Sequence, residues 1–298
     1  MRTDHPLTAT VVVPTYNRAD LLAATLTSLV AQDLAADRFE VVVCDDGSTD
    51  GTPDAVADFA TRLRMRYLYQ EDDGYRVAAA RNAGITAAAG DICVFVDCGV
   101  VLTSGAVRAH LEAHERTDGP AAVIGYVHGF EQDDDDAERL RAETDLADVD
   151  ATVADFAARG VWPDMRERSY ARYDDALAGL PAPWVLYWTC NVSASTEQLR
   201  RVGMFDEAFR TWGGEDIDLA YRLFQDGATF ALARAATALH LPHPKSYAER
   251  EEGAIANYRY MAGKYRDPIV DLITELPPLD FRELNDEVVE RGLAVATT

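Results

Sequence analysis

The feature that most limits what this chain can become is a repeated unit. A short β-branched run ends in a polar residue and is followed by a stretch with helical spacing. Residues 8–14 (TATVVVP) and 39–44 (FEVVVC) are the first two runs, and residues 65–69 and 92–96 (ICVFV) complete a set of four. Runs of Val, Ile and Phe without polar alternation suit strands buried on both faces. Between them, residues 18–32 place Leu22, Leu26, Leu29 and Val30 on one side of a helix. Residues 52–63 read as a second helix, and 75–89 as an Ala-rich third closed by Gly90. Such alternation with short connections predicts an α/β fold, an open, twisted, mostly parallel sheet with helices on both faces. Ligands of these sheets bind beyond the carboxyl ends of the strands. Residues 15–18, 45–48 and 97–99 are therefore the first candidates for function.

A chain of 298 residues, 48% of them hydrophobic, is long enough for one large domain or one domain with an appendage. The formal net charge of -23 argues against nucleic acid and anionic membrane as partners, because both need basic surface. It suits a cationic acceptor, or simply a well-solvated surface. Residues 1–7 are polar and lead into no apolar leader segment, and no apolar run approaches the roughly 20 residues that span a bilayer. The expectation is a cytoplasmic protein without a membrane span; self-association as a homodimer is left open. Cys44, Cys93, Cys98 and Cys190 show no paired or zinc-binding spacing, and are expected as free thiols.

Past residue 105 the pattern changes. Residues 131–183 are charged and read as a helical insertion, or lid, over the site. Residues 184–195 (WVLYWTCNVSAS) look strand-like, residues 229–239 read as a strand, and residues 268–298 as an acidic tail with Pro277 and Pro278. The division expected is a domain over 1–267, with a nucleotide-binding half at 1–105 and an acceptor and catalytic half at 106–267, followed by that tail.

Five clusters carry chemistry. Pro14-Thr15-Tyr16-Asn17-Arg18 follows the first strand, where a tyrosine can stack on a flat base, although Asn17 also suits a simple helix cap. Asp45-Asp46-Gly47-Ser48-Thr49-Asp50 puts two acids at a buried strand end; capping explains its last three residues but not the acid pair. Asp97, ending the fourth strand, is placed to hold a hard divalent cation, magnesium or manganese, with oxygen ligands. Trp212-Gly213-Gly214-Glu215-Asp216 opens a helix whose dipole favours acids, and one of them can act as a general base. His240 and His243, beyond a later strand, can complete a metal site begun by Asp97.

Together these residues resemble family 2 glycosyltransferases of the A-type glycosyltransferase fold, over about residues 8–244. The motifs V-V-P-T-Y-N-R, V-V-C-D-D-G-S-T-D, A-A-A-R-N-A-G, the strand ending in Asp97, T-C-N-V-S, V-G-M-F-D-E and W-G-G-E-D-I-D-L stand in that family's order. The resemblance implies an inverting hexosyltransferase that moves one sugar from a UDP- or GDP-sugar to a hydroxyl of a small-molecule or glycan acceptor. Natural-product aminocyclitols are among the acceptors left open. It implies that Pro14, Thr15, Tyr16 and Arg18 line the base pocket, and that Asp46, or else Asp45, accepts from the base. Arg76, Arg81 and Gly214 would approach the donor, Asp97 with His240 and His243 would hold the metal, Asp216 would be the catalytic base, and Glu215 would bind sugar. The tryptophan-diglycine signature hints at galactosyl-type donors. One departure stands out: the family's Asp-x-Asp reads Asp97-Cys98-Gly99 here, so the second ligand is missing.

The glycine-rich turn of a Rossmann dehydrogenase is absent after the first strand, and so is the basic phosphate loop of a nucleotidyltransferase. The Gln-x-x-Arg-Trp signature of processive synthases is absent too. The remaining rival is a nucleotide-sugar-binding protein without transferase activity.

Overall fold

The computed structural model describes residues 8–129, 134–243, 247–275 and 283–293. Residues 1–7, Asp133, Pro244, Pro277 and Pro278 of the readings above lie outside them. The first half alternates as expected: β1 (Ala9–Thr15), α1 (Ala19–Val30), β2 (Phe39–Asp45), α2 (Thr52–Phe59), β3 (Met65–Tyr69), α3 (Val77–Ala87) and β4 (Ile92–Val96). Then come β5 (Val100–Leu102), α4 (Ala106–Arg116), β6 (Ala121–His128), α5 (Asp134–Glu143), α6 (Val149–Arg159) and α7 (Glu167–Arg172). A 3-10 turn at Pro183–Leu186 leads to β7 (Asn191–Ser195), α8 (Thr196–Arg201), α9 (Glu215–Gln225) and β8 (Thr229–His240). Last are α10 (Tyr247–Tyr265), α11 (Pro268–Asp271) and α12 (Leu284–Glu290).

The eight strands of the described residues join one sheet in the order β3-β2-β1-β4-β7-β6-β8-β5. β3, β2, β1 and β4 run parallel, β7 runs antiparallel to both its neighbours, and β6 and β8 run parallel to each other. The chain leaves β1 toward β2 on one side and returns as β4 on the other, which opens a crevice between the carboxyl ends of β1 and β4. Tyr16 and Asp97 stand at those two ends.

The unbroken valine runs are explained by burial on both sides. Val11, Val13, Val41, Val43, Val94 and Val96 pack with Leu22, Leu26 and Leu29 of α1. Their neighbours Val12, Val42, Cys44, Cys93 and Phe95 face the other way, onto Ala78, Ala80 and Ile85 of α3. A two-residue period on doubly covered strands produces this division.

Two sequence readings are revised. Residues 184–195 are not one strand: Pro183, Trp184, Val185 and Leu186 form the 3-10 turn with all four side chains buried. A continuously apolar run fits a buried turn as well as a strand, and Pro183 sits where a helical turn begins. The acidic stretch after residue 267 contributes Ile269, Val270, Leu272, Ile273, Leu284 and Val288 to the larger core. Its charges dominate its composition, while these apolar residues close the sheet's face.

The insertion is fastened by a buried ion pair. Asp164 and Arg166 are each 1% exposed at the side chain and meet at 2.7 Å. Arg166 also donates to the carbonyls of Leu186 (2.9 Å) and Gly125 (3.2 Å), and Asp164 accepts from the Val127 amide at 2.9 Å. Losing one member of such a pair leaves a buried charge uncompensated. Arg166→Met is expected to cost about 3–5 kcal/mol in urea unfolding. A loss below about 1 kcal/mol, the scale of an exposed pair, would contradict the fastening.

Candidate active site

Residues 14–18 and 45–50 form two loops stitched together. Asn17 takes a left-handed φ of 49°. Its amide donates to Ser48 Oγ at 2.8 Å, and its Oδ1 accepts from the Thr49 amide at 2.7 Å. Pro14 and Thr15 lie inside β1, and Thr15 Oγ1 donates to Cys98 Sγ at 3.6 Å. The Arg18 carbonyl accepts from Cys98 Sγ (3.7 Å) and from the Leu22 amide (2.9 Å), starting α1. Tyr16 projects outward, 45% exposed, and its hydroxyl donates to Asp72 Oδ2 at 2.9 Å.

The two acids after β2 have different tasks. Asp45 is buried, accepts from the Ser48 amide at 2.8 Å and from the Tyr67 hydroxyl, and so shapes the turn. Asp46 accepts from the Arg76 amide at 2.8 Å and from Gln70 Nε2 at 2.5 Å. It ties β2 to residues 70–76 at the pocket rim. Gly47 permits this: at φ +95° an added Cβ would lie 2.4 Å from the Asp72 amide nitrogen. Of the two, Asp46 is the acid beside Tyr16 and Arg76, whereas Asp45 is spent on the turn and the Tyr67 hydroxyl.

The centre of the site is Arg81, only 3% exposed. Its Nη1 donates to Glu215 Oε1 at 2.8 Å and its Nη2 to Asp97 Oδ1 at 2.9 Å. Glu215 Oε2 is buried with no hydrogen-bond partner among the described residues. The loop before it turns on Gly213 (φ +93°) and Gly214 (φ +96°), a left-handed pair that side chains resist. Asp216 follows in the first turn of α9, its Oδ1 accepting from the Ile217 amide (2.8 Å) and its Oδ2 from the Thr189 amide (3.4 Å). Burial first, then the Glu215 charge, push its carboxyl up to about 7, while Arg81 and the two amides pull the other way. Asp216 also acts electrostatically on the phenols of Tyr187 and Tyr258.

Asp97, His240 and His243 do not assemble as expected. Asp97 Oδ1 already faces a guanidinium. The ladder sets Val100 opposite His240, yet the His240 ring faces His243, with centroids 5.3 Å apart. Gly99 has φ +93°, and an added Cβ would meet the Leu21 side chain at 3.4 Å, so an acid there would point at α1. Among the described residues, no three His, Cys, Asp or Glu groups are arranged to hold a cation. Asp97 and the two histidines therefore do not by themselves form a closed metal cluster, and no chemical step below passes through a cation.

The sequence reading missed what holds the catalytic loop. Asn257 of α10 donates to the carbonyls of Thr211 (3.1 Å) and Gly213 (2.6 Å). Asp218, fully buried, binds Arg222, Lys264 and Tyr265, tying α9 to α10. Arg210 reaches Asp73 across the mouth at 2.9 Å. The acid at 218 was visible as part of the Glu-Asp-Ile-Asp run, but its partner Lys264 lies 46 residues away.

The comparisons with known proteins bear on the family and the fold. Residues 10–171 match the profile of glycosyl transferase family 2, and residues 176–244 that of the N-terminal domain of galactosyltransferase. The chain belongs to glycosyl transferase family 2. This family 2 chain is 39% identical, over 82% of its length, to validoxylamine A glucosyltransferase of Streptomyces hygroscopicus subsp. jinggangensis. It spans 58% of that relative. Among solved structures, Staphylococcus aureus TarS 1–349 with UDP-GlcNAc superposes with a TM-score of 0.61 at 16% identity, over 96% of this chain and 72% of that one. A Pyrobaculum calidifontis mannosyltransferase with GDP-Man and Mn2+ gives 0.58 at 21% identity, over 95% and 69%. These are A-type glycosyltransferase folds, as the resemblance implied. Among the described residues no helix is long and apolar enough to cross a membrane.

The metal finding gives a direct test. UDP affinity by calorimetry is expected to agree within about threefold in chelator and in manganese. A loss of about tenfold in chelator, roughly 1.4 kcal/mol, would show that a cation belongs to the bound complex.

Proposed function

We propose that this family 2 glycosyltransferase moves one sugar, with inversion, from a UDP-sugar to a hydroxyl of a small acceptor of the aminocyclitol type. The observation that carries the reading is the acid pair at the start of α9, a buried Glu215 beside a half-buried Asp216. Arg81 joins it to the strand-end acid Asp97. The validoxylamine A relative supports a glucosyl donor and that acceptor class. The net charge of -23 is compatible with an acceptor that carries an ammonium group.

In this reading Tyr16 and Asp46 receive the base at the β1 and β2 ends. Arg76, half-buried beside Asp46, faces the pocket rim and meets the diphosphate. Arg81 holds Glu215 in place, and the open Oε2 of Glu215 accepts from a sugar hydroxyl. Asp216 takes the proton of the acceptor hydroxyl as its oxygen attacks the anomeric carbon, while the bond to the nucleoside diphosphate breaks on the opposite face. A base serves best when its pKa lies near the working pH. The desolvation of Asp216 brings it there.

Asp216→Asn keeps the shape and removes the basicity. Turnover of UDP-glucose should fall about 10²–10⁴-fold, with UDP affinity nearly unchanged. For the parent enzyme, kcat/KM should rise with pH and level off above about 7. Stability follows the same group. Its pKa is raised on folding, so stability declines as pH climbs from the ordinary carboxylate range to about 7. Asp216→Asn should therefore exceed the parent in Tm at about pH 8 and match it near pH 4. Retention of the anomeric configuration by NMR, or an Asp216→Asn enzyme at parental speed, would overturn the mechanism. Binding without transfer across a donor and acceptor panel would favour the nucleotide-sugar-binding alternative.

A further inference from the structure

The motif Thr189-Cys190-Asn191 has no part in the mechanism above, yet it touches both reacting ends of the site. The Thr189 amide donates to Asp216 Oδ2 at 3.4 Å. The Cys190 carbonyl accepts from the Asp97 amide at 3.4 Å. Asn191 starts β7 opposite Val96, and it is completely buried.

That side chain plugs a break in the sheet. Gly125 pairs with Ala233 but Tyr126 pairs with Thr237, so Arg234, Ala235 and Ala236 bulge out of the β6–β8 ladder. Asn191 Nδ2 donates to the Ala236 carbonyl at 2.8 Å and faces the Tyr126 carbonyl at 3.4 Å. Only glycine leaves room for it: a Cβ at Gly125 would lie 2.2 Å from Asn191 Nδ2.

Behind the amide runs a chain whose direction is fixed by chemistry. With Nδ2 donating, Asn191 Oδ1 must accept, and His110 Nε2 lies 2.9 Å from it. His110 therefore carries its proton on Nε2, and its Nδ1 accepts from Ser193 Oγ at 2.9 Å. Ser193 Oγ in turn accepts from His114 Nε2 at 2.9 Å. All four side chains are buried. Burial pushes His110 down to about 4 and His114 to about 3, so both rings are neutral and the chain keeps one polarity.

We propose that Thr189-Cys190-Asn191 is a positioning strut that fixes Asp216 relative to Asp97, and that the His110–Ser193–His114 chain holds it in register through Asn191. The proposal rests on the reading of Asp216 as base. A strut loosened from behind moves the Thr189 amide off Asp216. The carboxylate then loses a donor that favours its charged form, and its pKa rises. Donor binding at Tyr16 and Asp46, across β1 and β2, is unaffected.

The test uses Ser193→Ala, which cuts the chain in the middle, and His114→Leu, which removes only its outer donor should the first fail to fold. Turnover with UDP-glucose should fall by about tenfold, as for other residues that orient a reacting group. UDP affinity should stay within about twofold by calorimetry, a shift under half of the roughly 1.4 kcal/mol that makes tenfold. The acidic limb of the kcat/KM profile should move to higher pH, and Ser193→Thr should restore both limb and rate. Folded variants with parental kcat and an unmoved limb would overturn the strut. So would a parallel loss of UDP affinity and rate, the mark of general loosening. A dead Asp216→Asn enzyme beside a parental Ser193→Ala enzyme would sink the strut alone. Parental turnover by Asp216→Asn would remove the base reading and the strut with it.

Discussion

One guanidinium joins the two halves of this molecule. Arg81, on α3, reaches Asp97 at the end of β4 and Glu215 at the start of α9, 134 positions further on. Three carboxyl groups converge there, counting Asp216. In a medium of low dielectric such groups cannot all stay ionised side by side without a cation among them. A buried ion pair adds little net stability against an apolar substitute, but removing one partner leaves a charge stranded. Arg81 is therefore best understood as fixing where the acids sit.

The other properties of the site follow from having one cation for three acids. Burial first and the Glu215 charge second raise the affinity of the third carboxyl, Asp216, for protons, and Arg81 offsets them only in part. That is the condition a general base needs. The same guanidinium engages one oxygen of Asp97, Oδ1, and Gly99 adds no side-chain ligand. The Trp-Gly-Gly turn is held from α10 by Asn257, and α9 is held to α10 through Asp218 and Lys264. Glu215 and Asp216 thus stand on a clamped helix rather than a free loop, which suits a site that must hold a narrow geometry.

Much of this was legible in the sequence, for physical reasons. Strands covered on both faces write themselves as unbroken valine runs, so the positions of Tyr16, Asp46 and Asp97 at the carboxyl edge could be read directly. Paired glycines before Glu215 signalled a turn that side chains resist, and both prove left-handed. What could not be read was pairing at long range. Nothing local in Arg81 separates a donor contact from a bridge between two acids, and nothing in Asp218 announces Lys264. A place beside a strand also says nothing of where a ring points: the His240 ring faces His243, and no closed metal cluster forms among the described residues. The acidic stretch after residue 267 misled for another reason: its charge dominates its composition, while a few apolar residues decide its packing.

The claim that Arg81 is the joint between the halves is tested most directly by a double-mutant cycle on stability. Arg81→Gln, Glu215→Gln and the pair together would be compared by urea unfolding at about pH 8, above the raised pKa of Asp216. The account predicts strong coupling, about 1–3 kcal/mol, because each single variant leaves a buried charge short of its partner, while in the double variant only the partly exposed Asp97 loses one. Effects that add to within about 0.5 kcal/mol would mean the two side chains act independently and would contradict the account.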